Sequence, residues 1–99
     1  MMTDPTMLVL NVPPALEEDV VDYLLELPAI DGFTSFQAYG HGNHGTMTVA
    51  EQVTGRTKRV QFEIIMQEAD VPQITGHLKE RFGTHVRYWQ MPVYNIGHS

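Results

Sequence analysis

Val60 to Gln67, VQFEIIMQ, decides the fold. Val60, Phe62, Ile64 and Met66 alternate with Gln61, Glu63, Ile65 and Gln67, the period of a strand with one face in a core. A strand from Arg59 to Met66 is therefore expected, and the rest of the chain can be read outward from it. Upstream, Phe33 to Tyr39 is aromatic and β-prone and reads as a second strand. Between the two lies a glycine-rich polar loop of about residues 40 to 58. Downstream, Asp70 is placed to cap a helix with Gln73 three residues on and Pro72 in the first turn. Val71, Ile74, Leu78 and Phe82 give that helix a buried stripe, and Gly83 stops it. His85 to Met91 then supplies a strand ended by Pro92. At the other end, Met7 to Val12 (MLVLNV) is a nearly continuous apolar run, as in a central strand covered on both faces. Pro13 and Pro14 close it and Pro14 can start a helix, because its missing N–H has no partner there anyway. Leu16, Val20, Tyr23, Leu24 and Leu27 form the stripe of that helix, which ends before Pro28, with Glu17, Glu18 and Asp19 favourable in its first turn.

The element order is βαββαβ. Two right-handed βαβ halves produce an α+β, ferredoxin-like domain over residues 1–99: a four-stranded antiparallel sheet with two helices on one face. The other face lacks a cover. Tyr88, Trp89 or Met91 turned toward solvent there form an apolar patch, and self-association into a homo-oligomer is the expected remedy.

Composition narrows the function. The 99 residues suit a single modest core without a second lobe around an enzyme cleft. No apolar run reaches the roughly 20 residues of a membrane-spanning helix, and the N-terminus lacks the pattern of a secretory signal, so a cytoplasmic protein without membrane insertion is expected. With no cysteine, thiolate metal sites and disulfides are excluded. A formal charge of −6 argues against nucleic-acid binding, which needs a basic face. Against that background Arg56, Lys58 and Arg59, half of the six Lys and Arg residues, cluster beside the loop, where they suit one small anion or simply protect a strand edge.

The loop carries the candidate chemistry. Gly40, Gly42 and Gly45 fall within GHGNHG, and glycines so spaced can turn backbone N–H groups inward as an anion nest, with Asn43 and His44 orienting the ligand. It is neither a Walker loop nor a dinucleotide fingerprint. His41 and His44, with Met47 nearby, could instead ligate Zn, Ni, Co or Cu, but two imidazoles fall short of the three or four ligands that zinc takes. Catalysis has little support: Ser35 lacks a nucleophile-elbow context, and helix capping explains Glu17 and Glu18.

With this order and this loop, the chain resembles the PII-like superfamily of trimeric signalling proteins. Gly32 to Ser35 (GFTS), Gly40 to Gly42 (GHG), Glu51 to Arg56 (EQVTGR) and Tyr88 to Val93 (YWQMPV) are similar to a small family of uncharacterised bacterial PII-like proteins often encoded beside heavy-metal efflux systems. The resemblance implies that residues 40 to 58 are the T-loop, which in PII proteins docks on membrane transporters or enzymes and rearranges when adenine nucleotides fill the clefts between subunits. In the PII wording G-F-G-R-Q-K-G, Gly40 and Gly42 match the first two glycines and Gly45 the last. His44 falls near the position of a glutamine that contacts metal and oxoacid, a departure that weighs against 2-oxoglutarate sensing. The T-G-x-x-G-D-G-K phosphate loop is also missing, leaving only Gly83, Thr84 and His85 before the last strand. By the resemblance, the loop glycines face a neighbour's last strand, and Arg56, Lys58 and Arg87 meet an anion in the cleft.

The expectation is thus a homotrimeric, non-enzymatic regulator. An adenine nucleotide or other anion biases its loop, and the loop controls a partner, a metal-efflux transporter among the candidates. The competing expectation is a metal-binding protein that uses His41 and His44 for Cu, Zn, Ni or Co.

Overall fold

The computed structural model of the chain describes residues 3–42 and 56–99. Four strands, β1 (Pro5–Val12), β2 (Thr34–His41), β3 (Arg56–Gln67) and β4 (Arg87–Pro92), form one sheet in the order β2-β3-β1-β4. Every neighbouring pair is antiparallel. Helix α1 (Glu17–Leu25) joins β1 to β2, and the short helices α2 (Pro72–Thr75) and α3 (Leu78–Phe82) join β3 to β4. This is the expected ferredoxin-like arrangement, with β1 and β3, the two most apolar strands, in the middle.

Period two divides the sheet into two faces, and the register carries the division across all strands. Leu8, Leu10 and Val12 share one face with Val60, Phe62, Ile64 and Met66, and pack there against Val20, Tyr23 and Leu24 of α1 and against Val71, Ile74 and Leu78. That cluster is the core. Leu16, Leu27, Phe33, Phe82 and Val86 close its edges. The opposite, open face carries Met7, Val9 and Asn11 of β1, Arg59 to Ile65 at odd positions of β3, Phe36 and Ala38 of β2, and Arg87, Trp89 and Met91 of β4. Val9 is fully buried even here, between Glu63 and Trp89. Trp89 and Met91 are 40% exposed on this face. Tyr88, grouped with them by sequence, pairs with Leu10 and so lies on the helix-bearing side at the sheet edge.

The helices differ from expectation in two places. A 3-10 turn at Pro14–Leu16 precedes α1, and α1 stops at Leu25, with single-turn hydrogen bonds from Leu27 to Leu24 and from Ile30 to Leu27 carrying the chain past Pro28. The expected second helix is interrupted. Asp70 sits in a 3-10 turn, Glu68–Asp70, and caps no helix; the Gln73 amide donates to its carboxylate at 3.2 Å. The spacing of a capping box is present but the bond runs between side chains. At Gly76 the chain tightens, since any Cβ there would stand 2.8 Å from the Pro72 carbonyl oxygen, and His77 (φ −116, ψ 0) separates α2 from α3. Gly83, with φ 77, ends α3 as expected. Among the described residues no helix is long and apolar enough to cross a membrane.

Candidate functional site

Pairing of β2 with β3 runs out to His41 opposite Arg56, with Tyr39 opposite Lys58 and Gly40 opposite Thr57 between. Gly42, at φ 107, then turns the chain out of the strand in a conformation that side-chain-bearing residues rarely adopt. Asn43, His44 and Gly45 lie outside the described residues, as do Met47 and Glu51. Alternation sorts the basic cluster. Arg56 and Lys58 share the helix-bearing side with Tyr39 and His41, and the Arg56 guanidinium stacks 4.3 Å above the Tyr39 ring. Arg59 points to the open side.

There it is tied across the sheet. Its Nε–H donates to the Asn11 side-chain oxygen at 2.6 Å, and one terminal nitrogen donates to the backbone carbonyls of Asn11 at 2.8 Å and His85 at 2.9 Å. One side chain on β3 thereby holds the end of β1 to the entry of β4. Asn11 is itself oriented, donating to the Gln61 amide oxygen at 3.2 Å. Arg87 stands directly opposite Asn11 on the other flank. Burial pushes the Arg59 guanidinium below the usual arginine range, and the like charge of Arg87 pushes it further. A hollow of about 400 Å³ opens over these groups, with Asn11, Arg59, Gln61 and Arg87 around it and the β2 backbone at Ala38 to Gly40 along one wall. No described lining residue is a carboxylate. Two guanidiniums and two amides border one space, and guanidinium geometry in general favours planar carboxylate or phosphate oxygens.

Gly40 and Arg87 therefore come together within one chain. Lys58 lines a different hollow, of about 260 Å³, with Tyr39, Gln37 and Glu17 on the helix-bearing side, so within a single chain the sheet separates Arg56 and Lys58 from Arg87. His41 is at the hairpin end, and among the described residues no group of three His, Asp or Glu side chains is placed to hold a metal ion. Sequence reasoning has Arg59 only as a member of the basic cluster with Arg56 and Lys58, and misses Asn11 and Gln61 as site residues. The parity of position 59 and a lone amide inside an apolar strand were the available signals.

A four-stranded antiparallel sheet with two helices on one face and a long connection between its second and third strands is the PII-like fold. The chain superposes on the GlnK–ATP complex of B. subtilis with a TM-score of 0.69, at 16% identity over 94% of this chain and 84% of that one. A PII-like signaling protein from Thermus thermophilus gives 0.66 at 22% identity, over 94% and 91% of the two chains. A DUF3240 family protein from Shewanella baltica gives 0.79 at 26% identity, over 99% of both. The family profile described as protein of unknown function, DUF3240, matches residues 2–99, and the chain belongs to that family. No curated protein matches the sequence.

Proposed function

We propose that this chain is a PII-like regulatory protein whose ligand is a small oxyanion or a phosphate-bearing adenine nucleotide held at Arg59 and Arg87. The observation that carries the proposal is the convergence of those two guanidiniums on one hollow beside the β2–β3 connection. An anion placed between them is attracted by both guanidiniums. The site lies where both strands enter residues 43–55, so a ligand that favours one arrangement of this hairpin shifts the state a partner meets; it can do so only by binding that arrangement better. Gly40 lines the hollow itself, whereas Arg56 and Lys58 stand on the other side of the sheet and would meet the ligand only from a neighbouring subunit. The GlnK structure is an ATP complex, which makes adenine nucleotides the first ligands to try.

In this reading the protein acts as a single-domain cytoplasmic homotrimer without catalytic activity. The open face, with Trp89 and Met91 exposed, becomes the surface between subunits, and the loop addresses a partner, a metal-efflux transporter being one candidate.

The test is calorimetric titration of the protein, its mass fixed by light scattering, with ATP, ADP and AMP, and separately with Zn, Cu, Ni and Co ions. Arg59→Gln is expected to weaken nucleotide binding about 10- to 100-fold, the worth of one or two charge-assisted hydrogen bonds. Nucleotide affinity unchanged in Arg59→Gln would refute the reading. Binding of metal alone, lost in His41→Ala, would transfer function to the histidines.

A further inference from the structure

A guanidinium has five N–H donors and no acceptor. Three of those of Arg59 are placed: Nε–H on the Asn11 Oδ1 at 2.6 Å, and Nη2 on the backbone oxygens of Asn11 and His85 at 2.8 and 2.9 Å. All three acceptors are neutral, and among the described residues no carboxylate pairs with this side chain. Nη1 carries the other two donors. It has no acceptor among the described residues and is not sealed from solvent, the Thr57 hydroxyl being the one buried side-chain atom there that lacks a partner. Asn11 is central to this arrangement. Because the guanidinium only donates, the Asn11 amide must turn its oxygen to Arg59, and its nitrogen then donates to Gln61 at 3.2 Å. Arg87 stands directly opposite Asn11 on β4, and Asn11, Arg59, Gln61 and Arg87 border the same hollow. A carboxylate at position 11 would be the counter-ion of Arg59; the amide has the same shape and no charge. Glu63, a carboxylate of the same β3 parity, pairs with Val9 and Thr34 further along the sheet and does not line the hollow.

We propose that Asn11 positions Arg59 and sets the specificity of this site: its neutral amide holds the guanidinium by the Nε–Nη2 edge and leaves its charge and Nη1 to an anionic ligand. The inference rests on the anion reading given above and adds that the ligand must bring the negative charge that position 11 withholds. A long side chain held in advance loses less rotamer freedom when it binds, so the hold itself favours the complex. The missing charge decides what enters. An anion gains a charge-assisted hydrogen bond from Nη1, whereas a neutral ligand leaves the guanidinium without a counter-ion.

The experiment is titration with inorganic phosphate, followed by amide chemical shifts, of the wild-type protein, Asn11→Asp, Asn11→Ala and Arg59→Gln at about pH 7.5, where an aspartate is ionised. Melting temperatures are measured with and without phosphate. Asn11→Asp keeps the shape and supplies the counter-ion from within. It is expected to melt above the wild type in phosphate-free buffer, to bind phosphate about 10- to 100-fold more weakly, and to gain no melting temperature from phosphate. Asn11→Ala loosens Arg59 without adding charge, and is expected to melt below the wild type while binding phosphate within about tenfold of it. Phosphate bound at wild-type strength by Asn11→Asp, together with its loss in Arg59→Gln, overturns the role of Asn11 and leaves the anion reading standing. An Asn11→Asp protein that loses phosphate but melts below the wild type overturns it too, since position 11 then acts on the fold alone. Wild-type phosphate affinity in Arg59→Gln, or no phosphate binding by the wild type, overturns the anion reading and this inference with it.

Discussion

The two faces of one sheet differ more than any two elements of the fold. On the helix side, Leu8, Leu10, Val12, Val60, Phe62, Ile64 and Met66 are all at most 2% exposed, and the buried polar residue Thr6 has its hydroxyl spent on the Met91 carbonyl at 2.9 Å. On the open side the same two strands present Met7, Asn11, Arg59, Gln61 and Glu63, all partly exposed, beside Trp89 and Met91 at 40%. The side chain period of two lets β1 and β3 serve both purposes at once. One parity completes a core over the middle of the sheet; the other leaves charge, amide and aromatic surface over for ligands and partners.

The sharpest way to break this contrast is to cut one large side chain from each face. Phe62→Ala is expected to cost about 3–5 kcal/mol in urea denaturation, because it empties the middle of a closed core. Ile65→Ala, 36% exposed on the other parity, is expected to cost less than about 1 kcal/mol at protein concentrations where subunits are separate. Equal costs would mean that the open face is as finished as the covered one. A cost for Ile65→Ala that grows with protein concentration would instead show that self-association completes that face.

A middle-sized effect is expected at the polar end of the open face. Asn11→Ala removes the 2.6 Å acceptor of Arg59 and the partner of Gln61 together. A loss of about 1–2 kcal/mol is expected by the same measurement, below that of Phe62→Ala because Arg59 keeps two backbone carbonyls and some access to water. A loss below about 0.5 kcal/mol would show that this network orders the site without contributing to the fold.

These faces also mark what the sequence reveals. Strict alternation from Val60 to Gln67 makes β3 and its buried parity plain, and Gly83 announces the end of α3. Arg56, Lys58 and Arg59 fall within four positions, which hides that the third of them projects from the other side of the sheet. The partners of Arg59 are harder to see, because the pairings of Asn11 with Gln61 and with Arg87 depend on register, a long-range property that no local pattern encodes. The break at Gly76 escapes notice for a related reason: the helical stripe of Ile74, Leu78 and Phe82 survives it, so periodicity alone reads one helix where there are two.

A smaller effect than at Asn11 concerns how the covered face is fastened. Tyr23, 5% exposed, shares its hydroxyl proton between the Gln73 and Ile74 carbonyls, each at 3.2 Å, and so ties α1 to the short helix α2. Its ring meets Phe82 edge-on at 5.5 Å, and the Arg81 guanidinium lies 4.8 Å over it. Burial raises the Tyr23 pKa above 10.0, with Arg81 opposing in part. The sign of the pH effect follows. Above pH 10.0 the unfolded chain loses this proton while the folded one keeps it, so the unfolded state binds fewer protons and stability falls with rising pH. The Tyr23 contribution is complete below that value and is lost as pH climbs through the raised folded-state pKa. Tyr23→Phe is expected to cost about 1 kcal/mol at pH 7, for one hydrogen bond without a cavity, and to flatten the alkaline limb. Urea melts of both proteins at pH 7 and at about pH 10.5 check it: the gap between them should narrow at the higher pH, and a gap that widens would mean that Arg81 stabilises a tyrosinate more strongly than burial disfavours it.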